Sequence, residues 1–83
     1  MRFDVLLFEL RLFKSRTQAG HAIQSGEALL NGAPVKPSRD ARVGDRITLT
    51  APGARRTLEV LDLPRGSMSR EAAKALVREL PPS

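Results

Sequence analysis

Phe3, Leu6, Leu7, Leu10 and Phe13 recur three and four positions apart, the spacing that lines up side chains on one face of an α-helix. The pattern predicts a short helix over about the first dozen residues, with Asp4 near its start, where the helix dipole favours an acid. Val5, Phe8 and Leu12 fall off that face, so the helix is either covered on two sides or open to a partner. A second helix is predicted from Arg16 to about Ser25, with Ala19, Ala22 and Ile23 facing inward. Ser15 and Gln18 have the spacing of a capping box, and Gly26 is placed to stop the helix. Gly20, inside this helix, costs roughly 1 kcal/mol relative to alanine and is either a point of close approach to the first helix or simply tolerated.

Beyond Gly26 the period changes to two. Ala28 and Leu30 alternate with Glu27 and Leu29, and Asn31-Gly32 is the strongest short-range hairpin signal, with Ala33 to Val35 expected to return as its partner. Lys36-Pro37-Ser38 ends that pairing, and Val43-Gly44-Asp45 makes another turn. Arg46 to Thr50 and Arg56 to Leu61 read as strands separated by Pro52-Gly53. Met68, Ala72, Leu76 and Leu80 lie four apart and predict a final helix, capped by Ser67 or Ser69 and stopped at Pro81-Pro82. The expected class is α+β: two N-terminal helices packed on a small, mainly antiparallel sheet of short strands, with a C-terminal helix. The expected division is 1–64 as the binding domain and 65–83 as a helix packed on it or extending it.

The chain of 83 residues is near the lower size for folding without staples, and it has no cysteine for a disulfide or a thiolate zinc site. A single histidine, His21, builds no transition-metal site and is expected on the surface. No apolar run approaches membrane-spanning length, and no signal peptide is recognisable, so the chain is expected to be a cytoplasmic monomer without metal, cofactor or membrane partner.

Charge sharpens the picture. Fourteen basic residues face nine acidic ones, a net charge of +5, which favours a polyanionic partner. Between Arg11 and Arg39 stand five cations, Arg11, Lys14, Arg16, Lys36 and Arg39, and one acid, Glu27. Arg11, Lys14 and Arg16 gather where the second helix begins, and unpaired backbone N–H groups there already attract anions. A phosphate-binding corner is the expectation, with Ser15, Thr17 and Gln18 in the same turn. Arg70, in the C-terminal segment, is expected to matter less than Arg16.

Catalytic patterns are lacking. Ser15 has no histidine base at motif spacing, no phosphate-loop or dinucleotide glycine pattern is present, and Asp45 in a Gly-Asp turn reads as structural. An enzyme is therefore not expected. The absence of tyrosine and tryptophan argues against a stacking platform for single strands, with Phe3, Phe8 and Phe13 expected in the core. DNA binding lacks heptads or zinc ligands to support it.

In this order, Arg2 and Asp4, Arg11-Leu12, Lys14-Ser15-Arg16, Ala19, Ile23, Gly26, Asn31-Gly32, Lys36-Pro37-Ser38, Val43-Gly44-Asp45 and Ile47 resemble the RNA-binding domain of the ribosomal-protein S-four type, the alpha-L motif. The match runs from about Arg2 to Leu49. Within that family the chain is similar to small free-standing bacterial members of the heat-shock and ribosome-quality-control kinds. It departs from the usual pattern at Val5, where lysine is common, and at Glu27.

The resemblance implies binding to structured ribosomal RNA of the large subunit, and to peptidyl-transfer RNA, on a subunit holding a stalled nascent chain. It implies contacts from Arg2, Arg11, Lys14, Ser15, Arg16, Thr17, Gln18, Lys36, Arg39 and Arg42. The alternatives are a general RNA-binding adaptor in ribosome assembly or RNA modification, and a basic adaptor for an acidic protein.

Overall fold

Helix α1, Phe3–Glu9, buries Phe3, Leu6 and Leu7 completely, and Leu10 behind it nearly so. The computed structural model describes residues 1–51, 53–66 and 68–81. Pro52, Ser67 and Pro82, assigned above to a chain break, a helix cap and a helix stop, lie outside the described residues.

α1 ends three residues sooner than the apolar spacing suggests, and the backbone shows why. Leu10 is the C-cap, and Arg11 follows with φ 62°, in the left-handed region. The Arg11 N–H donates to the Phe8 carbonyl at 2.9 Å and the Leu12 N–H to that of Leu7 at 3.1 Å, the two bonds of a Schellman stop. Helix α2 spans Arg16–Ser25, as the sequence predicts. The Ser15 hydroxyl accepts from the Gln18 N–H at 3.1 Å, and Gly26, at φ 84°, closes the other end. No bond returns from the Gln18 side chain to Ser15 among the described residues, so half of the capping box is formed. A methyl group at Gly20 would meet nothing within 4 Å, so this glycine is tolerated and no packing requires it.

The sheet is wholly antiparallel, in the order β1 (Ala28–Leu30), β2 (Arg46–Ala51), β3 (Ala54–Val60) and β4 (Val77–Leu80). Asn31 and Gly32, at φ 54° and 78°, turn the chain as expected, and Leu30 and Ala33 exchange backbone bonds. The return strand stops at that single bridge. Pro34 has no N–H to continue a ladder, and β1 pairs instead with β2, Leu30 opposite Ile47. Asn31 fixes this choice: its N–H donates to the Arg46 carbonyl, and its side-chain oxygen accepts the Arg46 N–H.

The C-terminal segment corrects the sequence reading. α3 is a short helix, Arg70–Lys74, capped by the Ser69 hydroxyl on the Ala72 N–H. The chain then extends as β4, so Leu76 and Leu80 do not continue a helical stripe. β4 covers the free edge of β3, with Val77 opposite Val60 and Arg78 opposite Glu59. Ion pairs Arg78–Glu59 and Arg56–Glu79 cross between the two strands. An unpaired edge on β3 is satisfied in this way, and alternating charge holds the register.

One core results. Phe3, Leu6, Leu7 and Leu10 meet Ala19, Ala22 and Ile23 of α2 and the inward residues Ala28, Leu30, Ile47, Leu58 and Val60 of the sheet. Each fully buried large side chain contributes roughly 1.5–3 kcal/mol. Phe13 packs half-buried against this core, whereas Phe8 lies outside it and is exposed, contrary to expectation.

Candidate nucleic-acid interface

The turn 10–15 and the first turn of α2 present Lys14, Arg16, Thr17 and Gln18 to solvent. Among the described residues, Lys14 and Arg16 make no ion pair, so their charges are uncommitted at the amino end of a ten-residue helix. Ser15 is half-buried and its hydroxyl is occupied as the cap. Its role in the geometry is to begin α2 where these cations stand.

A second group of cations comes from the loop 33–45. This loop is stitched to the start of the chain: the Phe3 N–H donates to the Arg39 carbonyl at 2.8 Å, the Asp4 N–H to that of Pro37 at 3.1 Å, and the Ala41 N–H to that of Met1 at 2.7 Å. Lys36 and Arg39 are exposed, without an ion pair among the described residues. Arg42 is exposed too but donates from Nε to Asp40 at 3.0 Å. The other Asp40 oxygen accepts from the N-terminal ammonium at 2.7 Å. That bond, and then Arg42, hold the Asp40 carboxyl below its ordinary pKa.

Arg2 and Asp4 lie between the two groups. Arg2 grips the buried Asp4 carboxylate with Nε and Nη2, at 3.2 and 3.1 Å, and the Val5 N–H donates to the same carboxylate at 2.8 Å. Asp4 also lines a shallow depression with Arg16, Thr17 and Gly20. Arg2 therefore commits its fork to the buried Asp4 carboxylate, and half of its side chain stays exposed. Asp45 is structural: its carboxylate accepts the Arg42 N–H and the Asn31 side-chain amide.

Arg11 is placed differently from Lys14 and Arg16. Its Nε and Nη2 donate to the Met68 carbonyl, which draws the segment before α3 against the basic turn. A groove of about 730 Å³ opens there, and Arg70 lies on its wall together with Arg11, Lys14 and Gln18. A neighbouring groove brings Arg56 and Lys74 beside Arg11 and Arg70. Sequence reasoning set Arg70 apart from the corner, because no local signal reports a contact across 57 residues. For Phe8 there was a signal, its position off the apolar face of α1. Among the described residues, no group of acids and His21 is arranged to hold a metal ion, and no helix is long and apolar enough to cross a membrane.

The arrangement has close relatives. The S4 domain family matches residues 1–47, more than half of the chain, ending within β2. The RQC P-site tRNA stabilizing factor of Bacillus subtilis is 34% identical over 73 residues, which span 88% of this chain and 85% of that protein. The trimeric structure of heat-shock protein 15 from Vibrio cholerae superposes with a TM-score of 0.88 at 28% identity, covering 96% of this chain and 81% of that one. That superposition extends well beyond the family match, so α3 and β4 belong to the shared fold. With the capped α2 and the Asn31-Gly32 turn in the expected places, the chain belongs to the S4 domain family of RNA-binding domains.

Proposed function

We propose that this protein binds structured ribosomal RNA on a large ribosomal subunit that carries a stalled nascent chain, and serves there in ribosome quality control. The observation that carries the reading is the link of two cationic groups through Asp4: Arg16, next but one to Lys14, shares a depression with Asp4, and Lys36 and Arg39 stand on the loop whose carbonyls accept the Phe3 and Asp4 N–H groups. The relation to a factor named for stabilising P-site tRNA supports the setting.

Phosphates dock first, drawn by Lys14 and Arg16, with the first turn of α2 adding its unpaired N–H groups. Arginine takes phosphate oxygens in pairs, so Arg16 fixes orientation as well as charge. Thr17 and Gln18, exposed in the same turn, add hydrogen bonds to sugar and phosphate. Ser15 acts by shaping the turn, and Arg2 by pairing with the Asp4 carboxylate and so offsetting its charge within a basic surface. Arg11 serves twice, as a tie to Met68 and as a cation of the corner. A surface of this kind reads the shape of a folded RNA through its backbone.

Lys36, Arg39 and Arg42 form the second contact, placed to meet a transfer RNA lying beside the ribosomal RNA. The chain acts in this reading as a monomeric cytoplasmic binding module and brings no catalytic group of its own. Competition tests the reading: folded ribosomal RNA displaces a labelled ribosomal RNA probe at far lower concentration than duplex DNA of equal charge. Equal displacement by the two would leave only general attraction to polyanions.

A further inference from the structure

Among the described residues, three large apolar side chains stand exposed, Phe8, Val43 and Leu61, and of these Phe8 alone is aromatic. It is 36% exposed and lies on the wall of the groove between the basic turn and the segment leading into α3. Leu12, Phe13 and Met68 extend the apolar lining, while Arg11, Lys14, Arg70 and Gln18 supply its polar part, with Glu9 the one acid. A volume of about 730 Å³ is within the range of small-ligand sites, roughly 300–1,000 Å³.

We infer that this groove receives one unstacked nucleotide of the bound RNA, its base against Phe8 and its phosphate between Lys14 and Arg70. The inference rests on the RNA-binding reading above and adds a site to it. A base needs a flat apolar partner and hydrogen-bonding groups at its edge. Phe8 provides the first. The Gln18 amide provides donor and acceptor, because its helix-capping bond uses the backbone N–H and leaves the side chain unbonded among the described residues. Glu9, next to Phe8 in the chain, accepts from an exocyclic amine and repels phosphate, which favours one orientation of the nucleotide.

Charge selects the occupant. Three cations against one acid suit a nucleotide better than the apolar side chain of a protein partner. One phenyl ring takes one base, so the groove supplies a single stacking position on a surface that otherwise reads backbone shape. The tie from Arg11 to the Met68 carbonyl fixes the wall on which Arg70 stands, so the site depends on α3 being docked.

Three fluorescein-labelled RNA hairpins with one common stem test this by anisotropy with the full chain. One is fully paired, one carries a single bulged adenosine, and one carries an abasic residue at the bulge. The wild-type chain should prefer the bulged adenosine over both others by about five- to tenfold, at the lower end of base–aromatic stacking. Phe8→Leu, outside the buried core and checked for folding by circular dichroism, should remove the preference and leave stem affinity in place. Arg16→Glu should weaken all three hairpins alike. Equal wild-type affinity for the three hairpins, or a preference that survives Phe8→Leu, overturns the nucleotide site while the RNA-binding reading stands. Failure of the wild-type chain to bind any hairpin better than duplex DNA of equal length overturns both.

Discussion

Arg11 and Met68, 57 positions apart in the chain, are joined by two hydrogen bonds from one guanidinium to one carbonyl, at 3.3 and 2.7 Å. The same arginine sits at φ 62°, where glycine is the usual occupant of a Schellman stop. The left-handed backbone costs about 1 kcal/mol for a residue with a Cβ. An arginine at this position therefore gives up helix-stop stability to place its side chain across the groove.

Replacing Arg11 with glycine separates the two effects. The backbone cost is relieved while the tie to Met68 is lost, so global stability by denaturant titration should change by less than about 1 kcal/mol. Amide exchange at Ala72 and Ala73 should accelerate, and affinity for ribosomal RNA should fall several-fold. Unchanged affinity would remove Arg11 from the interface and leave it a purely structural residue.

Arg16→Glu should weaken RNA binding much more than Arg55→Glu, with both proteins folded. Arg55 is exposed on β3, and its register places it on the face opposite the inward-facing Leu58 and Val60. If about five phosphates are neutralised, log affinity of the wild-type chain should fall with log salt at a slope of roughly −3 to −5. Equal losses for the two variants, or a flat salt response, would contradict a defined phosphate corner.

Two substitutions, one at the cap of α2 and one inside it, should move stability in opposite directions. Ser15→Ala removes the cap on the Gln18 N–H and should cost about 1 kcal/mol. Gly20→Ala enters open space in a helix interior and should stabilise by roughly 0.5–1 kcal/mol. Thermal denaturation distinguishes them, and a destabilised Gly20→Ala would mean that the glycine serves a contact within the fold after all.

Asp40 should titrate below its ordinary value of 3.8, because the N-terminal ammonium and then Arg42 stabilise its charged form. The folded-state pKa is thus the depressed one. Its contribution to stability is present above 3.8 and disappears as pH falls through the lower folded value. The group is exposed, so the contribution is small. Carboxyl-carbon chemical shifts of Asp40 give the midpoint directly; a midpoint at or above the ordinary value would show that the two ion pairs do not persist in solution.

α2 was legible because both of its ends carry local signals, Ser15 before it and Gly26 after it. The Asn31-Gly32 turn was legible for the same reason. The end of α1 was not, since nothing in the sequence marks Arg11 as left-handed. β4 was hidden more deeply: Met68, Ala72, Leu76 and Leu80 have helical spacing, and the choice of strand comes from the open edge of β3, whose partner residues lie 17 to 23 positions earlier in the chain. The site divides along the same line. The cations around Ser15 could be read from one short segment, whereas Arg70 joins them through a contact that only the folded chain makes.

A role in quality control is tested by recovery of purified ribosomal particles on the immobilised chain: empty large subunits, large subunits carrying peptidyl-transfer RNA, and joined ribosomes. Recovery should be highest for loaded large subunits, lower for empty ones and lowest for joined ribosomes, with Arg16→Glu abolishing the difference. Equal recovery of all three particles would contradict the role in quality control and leave a general RNA-binding domain.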